Sequence, residues 1–209
     1  MNDVERSCVG VLLAGGAARR FGGQPKGLAR LDGVRIADRV LTALRRASTA
    51  QLVIANDPAA AQWFPGERVI ADETPGLGPL GGLTTALQAA EGSSVLVVAW
   101  DMPFVTAELL CELRRRGESG AHAVVPVHGA EGWAEPLCAW YAPSALPTCR
   151  ALLEAGARRA GALLDALLPA ADTVGDEELE RFGDPARLFI SVDTPDALAA
   201  LGGTLGSPD

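Results

Sequence analysis

The run Ser94-Val95-Leu96-Val97-Val98-Ala99 has no polar residue after its first. A strand with one wet face alternates polar and apolar residues; a strand apolar on both faces must be covered on both, as in a mostly parallel sheet between two helical layers. This run, the most hydrophobic of the candidate strands, is expected at the centre of such a sheet. Around it two periods alternate. Val9–Leu13, Gln51–Ala55 and Arg68–Ala71 are short strands, and Ile36, Val40, Leu41 and Leu44 recur at helical spacing between arginines, which predicts a helix over 35–47. A loop at 75–82 leads into a helix through about residue 90. Thr106 caps another helix, with Glu108 in its first turn and Arg114-Arg115-Arg116 in its last. Further strands are expected at 122–127, 136–141 and 187–192, with helices between the latter two and a final helix opened by Thr194-Pro195-Asp196. The fold class is therefore α/β: a single-domain, three-layer α/β/α sandwich around a mostly parallel, Rossmann-like sheet. A chain of 209 residues with 48% hydrophobic content can bury one core, so residues 1–201 are expected to form one domain and 202–209 a flexible tail.

Ligands of such sheets bind beyond the carboxyl ends of the strands. The first strand ends in Leu13-Ala14-Gly15-Gly16-Ala17-Ala18-Arg19-Arg20-Phe21-Gly22-Gly23-Gln24-Pro25-Lys26-Gly27, and Lys26 is the only lysine among eighteen Lys and Arg residues. Glycines without Cβ let backbone N–H groups approach an anion, and a compact ammonium on a flexible stem can follow a phosphate as its charge moves. Gly15, Gly16, Gly22 and Gly23 with Arg20 and Lys26, and with Arg19 more peripheral, form a candidate phosphate cradle. It is not a P-loop, because Gly27 stands where Ser or Thr would follow the lysine. Nor is it a dinucleotide fingerprint, because Gly15 and Gly16 are adjacent and Ala17 and Ala18 follow. These two mismatches argue against ATPase and dehydrogenase chemistry.

Polar residues at the other strand ends are the next candidates. Asp101 leaves the apolar strand just before Met102-Pro103, where a carboxylate is costly without a cation or N–H donors. It could make a turn, but Thr106 already fills the capping role, and hard oxygen chemistry makes Asp101 a candidate magnesium ligand. Asn56 and Asp72 close neighbouring strands; each is either a turn-former or a ligand contact. Net charge is −8, against a nucleic-acid binder. Residues 1–50 nevertheless carry nine basic against four acidic residues, an anion-binding part in an acidic body. Cysteines 8, 111, 138 and 149 lack metal-ligand spacing. There is no signal-peptide pattern and no apolar run near the ~18 residues a membrane span needs, so a cytoplasmic protein without membrane contact is expected.

Leu13-Ala14-Gly15-Gly16, Arg20 and the later Gly22-Gly23-Gln24-Pro25-Lys26-Gly27 resemble the signature of nucleotidyltransferases, most closely the molybdenum cofactor guanylyltransferase family. Phe21 stands where that family usually has Met. The resemblance implies a fold of the nucleotide-diphospho-sugar transferase type and GMP transfer from GTP to molybdopterin with Mg2+ on Asp101. It also implies nucleotide contacts at Leu13, Ala14, Gly15, Gly16, Lys26, Asn56 and Asp72. The segment Gly78-Pro79-Leu80-Gly81-Gly82 resembles the loop that lines the purine, which favours GTP over CTP. Trp100 is larger than the residue usual at its position. Near the end, Ser191 and Asp193 replace the two asparagines of Asn-x-Asn-Thr-Pro, and Asp193 either closes a strand or supplies a second oxygen to the metal, as in cytidylyl relatives. Glu135-Pro136 and Arg158-Arg159 fall where relatives bind the acceptor. Arg20, Lys26 and Asp101 are thus the expected catalytic residues, and transient contact with molybdenum-insertion or molybdoenzyme-maturation proteins is a further expectation. The alternatives are cytidylyl transfer to molybdopterin, nucleotidyl transfer to a sugar or polyol phosphate, and a non-catalytic nucleotide-binding module.

Overall fold

The computed structural model describes residues 7–15 and 25–205. In chain order the first half holds β1 (Cys8–Leu13), β2 (Arg30–Leu31), β3 (Val34–Arg35), α1 (Ile36–Ala47), β4 (Ala50–Ile54), α2 (Ala60–Trp63), β5 (Val69–Ile70), α3 (Gly78–Ala89) and β6 (Ser94–Ala99). The second half holds α4 (Ala107–Gly117), β7 (Ala123–His128), β8 (Trp133–Ala134), β9 (Cys138–Tyr141), α5 (Ala145–Glu154), α6 (Gly161–Leu167), β10 (Ala171–Val174), α7 (Asp176–Leu179), α8 (Pro185–Leu188) and α9 (Pro195–Ala200).

The sheet order is β10-β7-β9-β6-β1-β4-β5, with β8 added to β7. β6 is central and buried at every residue, as its composition requires. It pairs parallel with β1 and antiparallel with β9, so the sheet is mixed although most of its core is parallel. Side chains alternate between two cores. Cys8, Leu12, Leu96 and Val98 pack with α1 and α4, while Val11, Leu13, Val95 and Val97 pack with α3, α5 and α6. Caps behave as their chemistry dictates: Thr106 Oγ1 accepts from Leu109 N at 3.3 Å, and Thr194 Oγ1 from Ala197 N at 3.1 Å.

Two strands differ from the sequence expectation. Residues 187–192 form no strand. Asp184 accepts from Ala186 N at 3.0 Å and, with Pro185 behind it, starts the helical turn α8; the following residues run past Asp101, whose carbonyl accepts from Val192 N at 2.9 Å. The sheet edge is taken instead by β10, which pairs parallel with β7 and carries the polar Asp172 and Thr173. At the other end of the chain, Thr204 exchanges both backbone hydrogen bonds with Arg30, at 2.8 Å each.

Candidate active site

The carboxyl ends of β1, β4, β5 and β6 open into a cavity of about 910 Å³, and Asp101 is among the residues that line it. Asp101 follows directly from the buried strand β6 and is itself 5% exposed. Its Oδ2 accepts from Lys26 Nζ and, at 2.9 Å, from Ser191 Oγ. Lys26 Nζ also donates to Asp193 Oδ1 at 2.6 Å. Burial works against the ammonium, but the charge and hydrogen bond of Asp101, joined by those of Asp193, outweigh it and hold Lys26 above its ordinary pKa. Asp101 Oδ1 is buried with no hydrogen-bond partner among the described residues. One ammonium shared by two carboxylates, with a buried oxygen unmatched, is an arrangement that accepts a further cation, and its donors are the hard oxygens that magnesium takes. Among the described residues no group of three or more His, Cys, Asp or Glu side chains could hold a metal on its own, so phosphate and water oxygens would complete the shell.

On the β4–β5 side, Asn56 and Asp72 are brought together. Asn56 Nδ2 donates to Asp72 Oδ2 at 2.7 Å, and Asn56 Oδ1 accepts from Asp72 N at 2.8 Å. The Asx turn at this strand end belongs to Asp57, which accepts from Ala59 N at 2.8 Å, and Asn56 is left to face the cavity. Asp72 Oδ1 is buried without a partner among the described residues. A Cβ on Gly82 would stand 3.6 Å from that oxygen.

Leu13, Ala14 and Gly15 line the same cavity, as do Gly78 and Pro79. Gly78 has φ +68°, and a Cβ there would meet the Arg158 carbonyl at 2.8 Å, so this close approach requires glycine. The same carbonyl accepts from Leu80 N at 3.1 Å and caps the first turn of α3. Leu80, expected among the nucleotide contacts, is fully buried in the core beneath the loop and its side chain does not line the cavity. Arg158 turns its guanidinium back to the carbonyls of Leu153 and Ala157, at 3.2 and 2.7 Å, and neither it nor Arg159 lines the cavity. Gly16, Arg19, Arg20, Gly22 and Gly23 lie outside the described residues.

Three contributions were not anticipated from sequence. Ser191 anchors Asp101. Trp63 lines the cavity and stacks on Trp100, ring centroids 6.3 Å apart and planes at 23°. Trp100, 3% exposed, lies so close against Gly27 that a Cβ there would be 2.3 Å from its ring. The bulky residue at position 100 and the glycine after Lys26 are therefore a matched pair, and that complementarity was the one available signal in the sequence.

Residues 10–174 match the model of the MobA-like NTP transferase domain. The chain is 34% identical over 201 residues to a probable molybdenum cofactor guanylyltransferase of Chloroflexus aggregans, covering 95% of each chain. It is 32% identical over 198 residues to a protein of the same description from Bacillus subtilis, covering 92% of this chain and 94% of that one. Among solved structures, the molybdopterin-guanine dinucleotide biosynthesis protein A of Archaeoglobus fulgidus superposes with a TM-score of 0.76 at 28% identity, over 92% of this chain and 96% of its own.

Proposed function

We propose that this chain, which belongs to the MobA-like NTP transferase family and is a nucleotidyltransferase of molybdenum cofactor biosynthesis, transfers GMP from GTP to the terminal phosphate of molybdopterin and releases pyrophosphate. The observation that carries the reading is the cluster Lys26–Asp101–Asp193 at the end of β6, separated from the Asn56–Asp72 pair by the end of β1.

The segments at 13–15 and 78–79, which line the cavity, would leave room for a purine, and their backbone N–H and C=O groups would pair with the edge of guanine. Asn56 and Asp72, already fixed to one another, offer a preformed polar contact to the nucleoside. Arg20 and Lys26 would hold the triphosphate; Lys26 has three N–H donors and can keep Asp193 while turning another to phosphate. Asp101, with Asp193 as a second oxygen, would hold Mg2+, whose charge would offset that of the departing pyrophosphate. Ser191 keeps the Asp101 carboxylate oriented, and Trp100 supports the turn that carries Lys26. The acceptor phosphate is already ionised near neutral pH, so no side chain needs to remove a proton, and catalysis rests on positioning and charge neutralisation.

The test is pyrophosphate release from GTP, CTP, ATP and UTP, each with molybdopterin and with a sugar phosphate, in the presence of Mg2+. GTP with molybdopterin is expected to be the productive pair, and preference for CTP or for a sugar phosphate would overturn the assignment. Lys26→Ala and Asp101→Ala should each abolish release; unchanged release from either would sink the site assignment.

A further inference from the structure

Helix α9 runs out into Leu201-Gly202-Gly203-Thr204, and the two glycines dictate where the chain goes next. Gly202 takes φ +74°, its N–H donates to the Ala199 carbonyl at 2.9 Å, and Gly203 N donates to the Leu198 carbonyl at 2.9 Å. These two bonds around a left-handed glycine make a Schellman stop, which turns the chain back. The returning chain meets the segment that follows the lysine turn. Thr204 N donates to the Arg30 carbonyl and Arg30 N to the Thr204 carbonyl, at 2.8 Å each, so Thr204 adds an antiparallel position to the free side of the β2–β3 hairpin. No side chain fits at 203 in this arrangement. A Cβ there would stand 2.3 Å from Leu198 Cδ1 and 2.8 Å from the Arg30 carbonyl oxygen.

Both partners of this bridge lead directly to the Lys26–Asp193 ion pair. Ala29 N donates to the Lys26 carbonyl at 3.1 Å, which joins the lysine turn to Arg30. On the other side Asp193 precedes Thr194, the cap of α9. A small core of Ala29, Ile36, Val192 and Leu198, with Leu201 against it, fills the space between the two segments. The chain thus closes a ring: from Lys26 to Arg30, across to Thr204, back through α9 to Asp193, and across again to Lys26. One crossing is the ion pair and the other is the backbone bridge at Thr204. We propose that Gly203 and Thr204 are positioning residues of the transfer reaction, because their bridge to Arg30 fixes the lysine turn against the Asp193 segment and so sets where the Lys26 ammonium meets the triphosphate. The inference rests on the reading of Lys26 as the cation that holds the triphosphate. The Thr204 side chain is exposed, so its contribution lies in its backbone, whereas Gly203 contributes by having no Cβ. A displacement near 1 Å lowers turnover by about a hundredfold, so partial release of the turn is expected to lower it about tenfold.

Lys26 is the only lysine in the chain, so protein grown with isotope-labelled lysine gives a single side-chain ammonium resonance that reports on this residue alone. The experiment compares that resonance and the kcat of GTP-dependent pyrophosphate release in wild type, Gly203→Ala, Thr204→Pro and Thr204→Ala, each checked for folding by thermal unfolding. Gly203→Ala pushes on the Arg30 carbonyl, and Thr204→Pro removes the N–H that bonds it. Both are expected to shift the resonance and lower kcat about tenfold, while Thr204→Ala, which keeps the N–H, should recover most of the loss. A chain ended at residue 202 keeps every member of the small core and replaces any point variant that does not fold; it should behave as Thr204→Pro does. A resonance unmoved in the folded variants, or a kcat unchanged in them, overturns the positioning role while leaving Lys26 and guanylyl transfer standing. If wild type releases no pyrophosphate from GTP with any acceptor, the functional reading fails instead. The resonance then decides the bridge alone: a shift in Gly203→Ala and Thr204→Pro supports it, and no shift overturns it.

Discussion

Gly27→Ala adds one carbon and two hydrogens beside the lysine that joins Asp101 to Asp193, and the consequence can be worked from the geometry. The new Cβ would be placed 2.3 Å from Cε3, 2.5 Å from Cδ2 and 3.0 Å from Cγ of Trp100. Carbon atoms pack at about 3.5–4.0 Å, so roughly 1 Å of movement is needed. Trp100 has little freedom to supply it, being 3% exposed and stacked on Trp63. The turn at Lys26–Leu28 must give, and Lys26 moves with it. Overpacking of this kind costs about 1–3 kcal/mol of stability, and a displacement near 1 Å of a charge-positioning group lowers turnover by about a hundredfold. The assay is thermal unfolding together with GTP-dependent pyrophosphate release, on Gly27→Ala, Trp100→Leu and the double variant. Removing the indole opens the space that the added methyl needs, so the double variant should be better than additivity predicts, by about 1 kcal/mol or more of coupling. Wild-type turnover in Gly27→Ala, or strict additivity in the double variant, would refute the steric argument.

Lys26→Arg preserves charge but replaces a point donor that reaches two carboxylates with a planar fork, so kcat should fall by about ten- to a hundredfold while the fold survives; full activity would remove the reason for a lone lysine here. Asn56→Ala strips Asp72 of a backbone and a side-chain partner and should raise KM for GTP about tenfold with a smaller effect on kcat, as read from initial rates. Hydrogen bonds from Arg115 and then Arg116 hold Glu112 down to about 2, against an ordinary 4.5. Its contribution to stability is therefore present above pH 4.5 and lost as pH falls toward 2, so Glu112→Gln should flatten the dependence of Tm on pH in that window; an unchanged acid limb would show that the pair contributes nothing.

What the sequence disclosed tracks how local each cause is. β6, α1 and α4 were legible because burial on both faces or on one stripe is written in consecutive residues, and Thr106 and Thr194 because a cap acts within three positions. The edge strand was not. Ile190 and Val192 alternate like a strand, yet Val192 is used elsewhere, packing with Ala29, Ile36 and Leu198, while β10 is made a strand by β7 rather than by its own polar residues. The direction of β9 was equally hidden, because an apolar run carries no orientation.

The same division runs through the site. Asp101 and Lys26 were visible because a carboxylate after a buried strand and a lone ammonium among glycines demand partners of opposite sign. Their direct pairing is flanked by a segment ninety residues from Asp101, where Ser191 reaches its carboxylate and Asp193 reaches Lys26. The departure from the family's usual asparagines acquires a physical meaning only there. An amide at 193 could accept from Lys26 but would bring no charge, whereas Asp193 gives the buried ammonium a second anion and leaves the cluster one negative charge in excess. On the proposed reading, a site so balanced would hold Lys26 in place before the triphosphate arrives and would favour the entry of a divalent cation with it, so the residue at 193 would tie lysine placement to metal affinity.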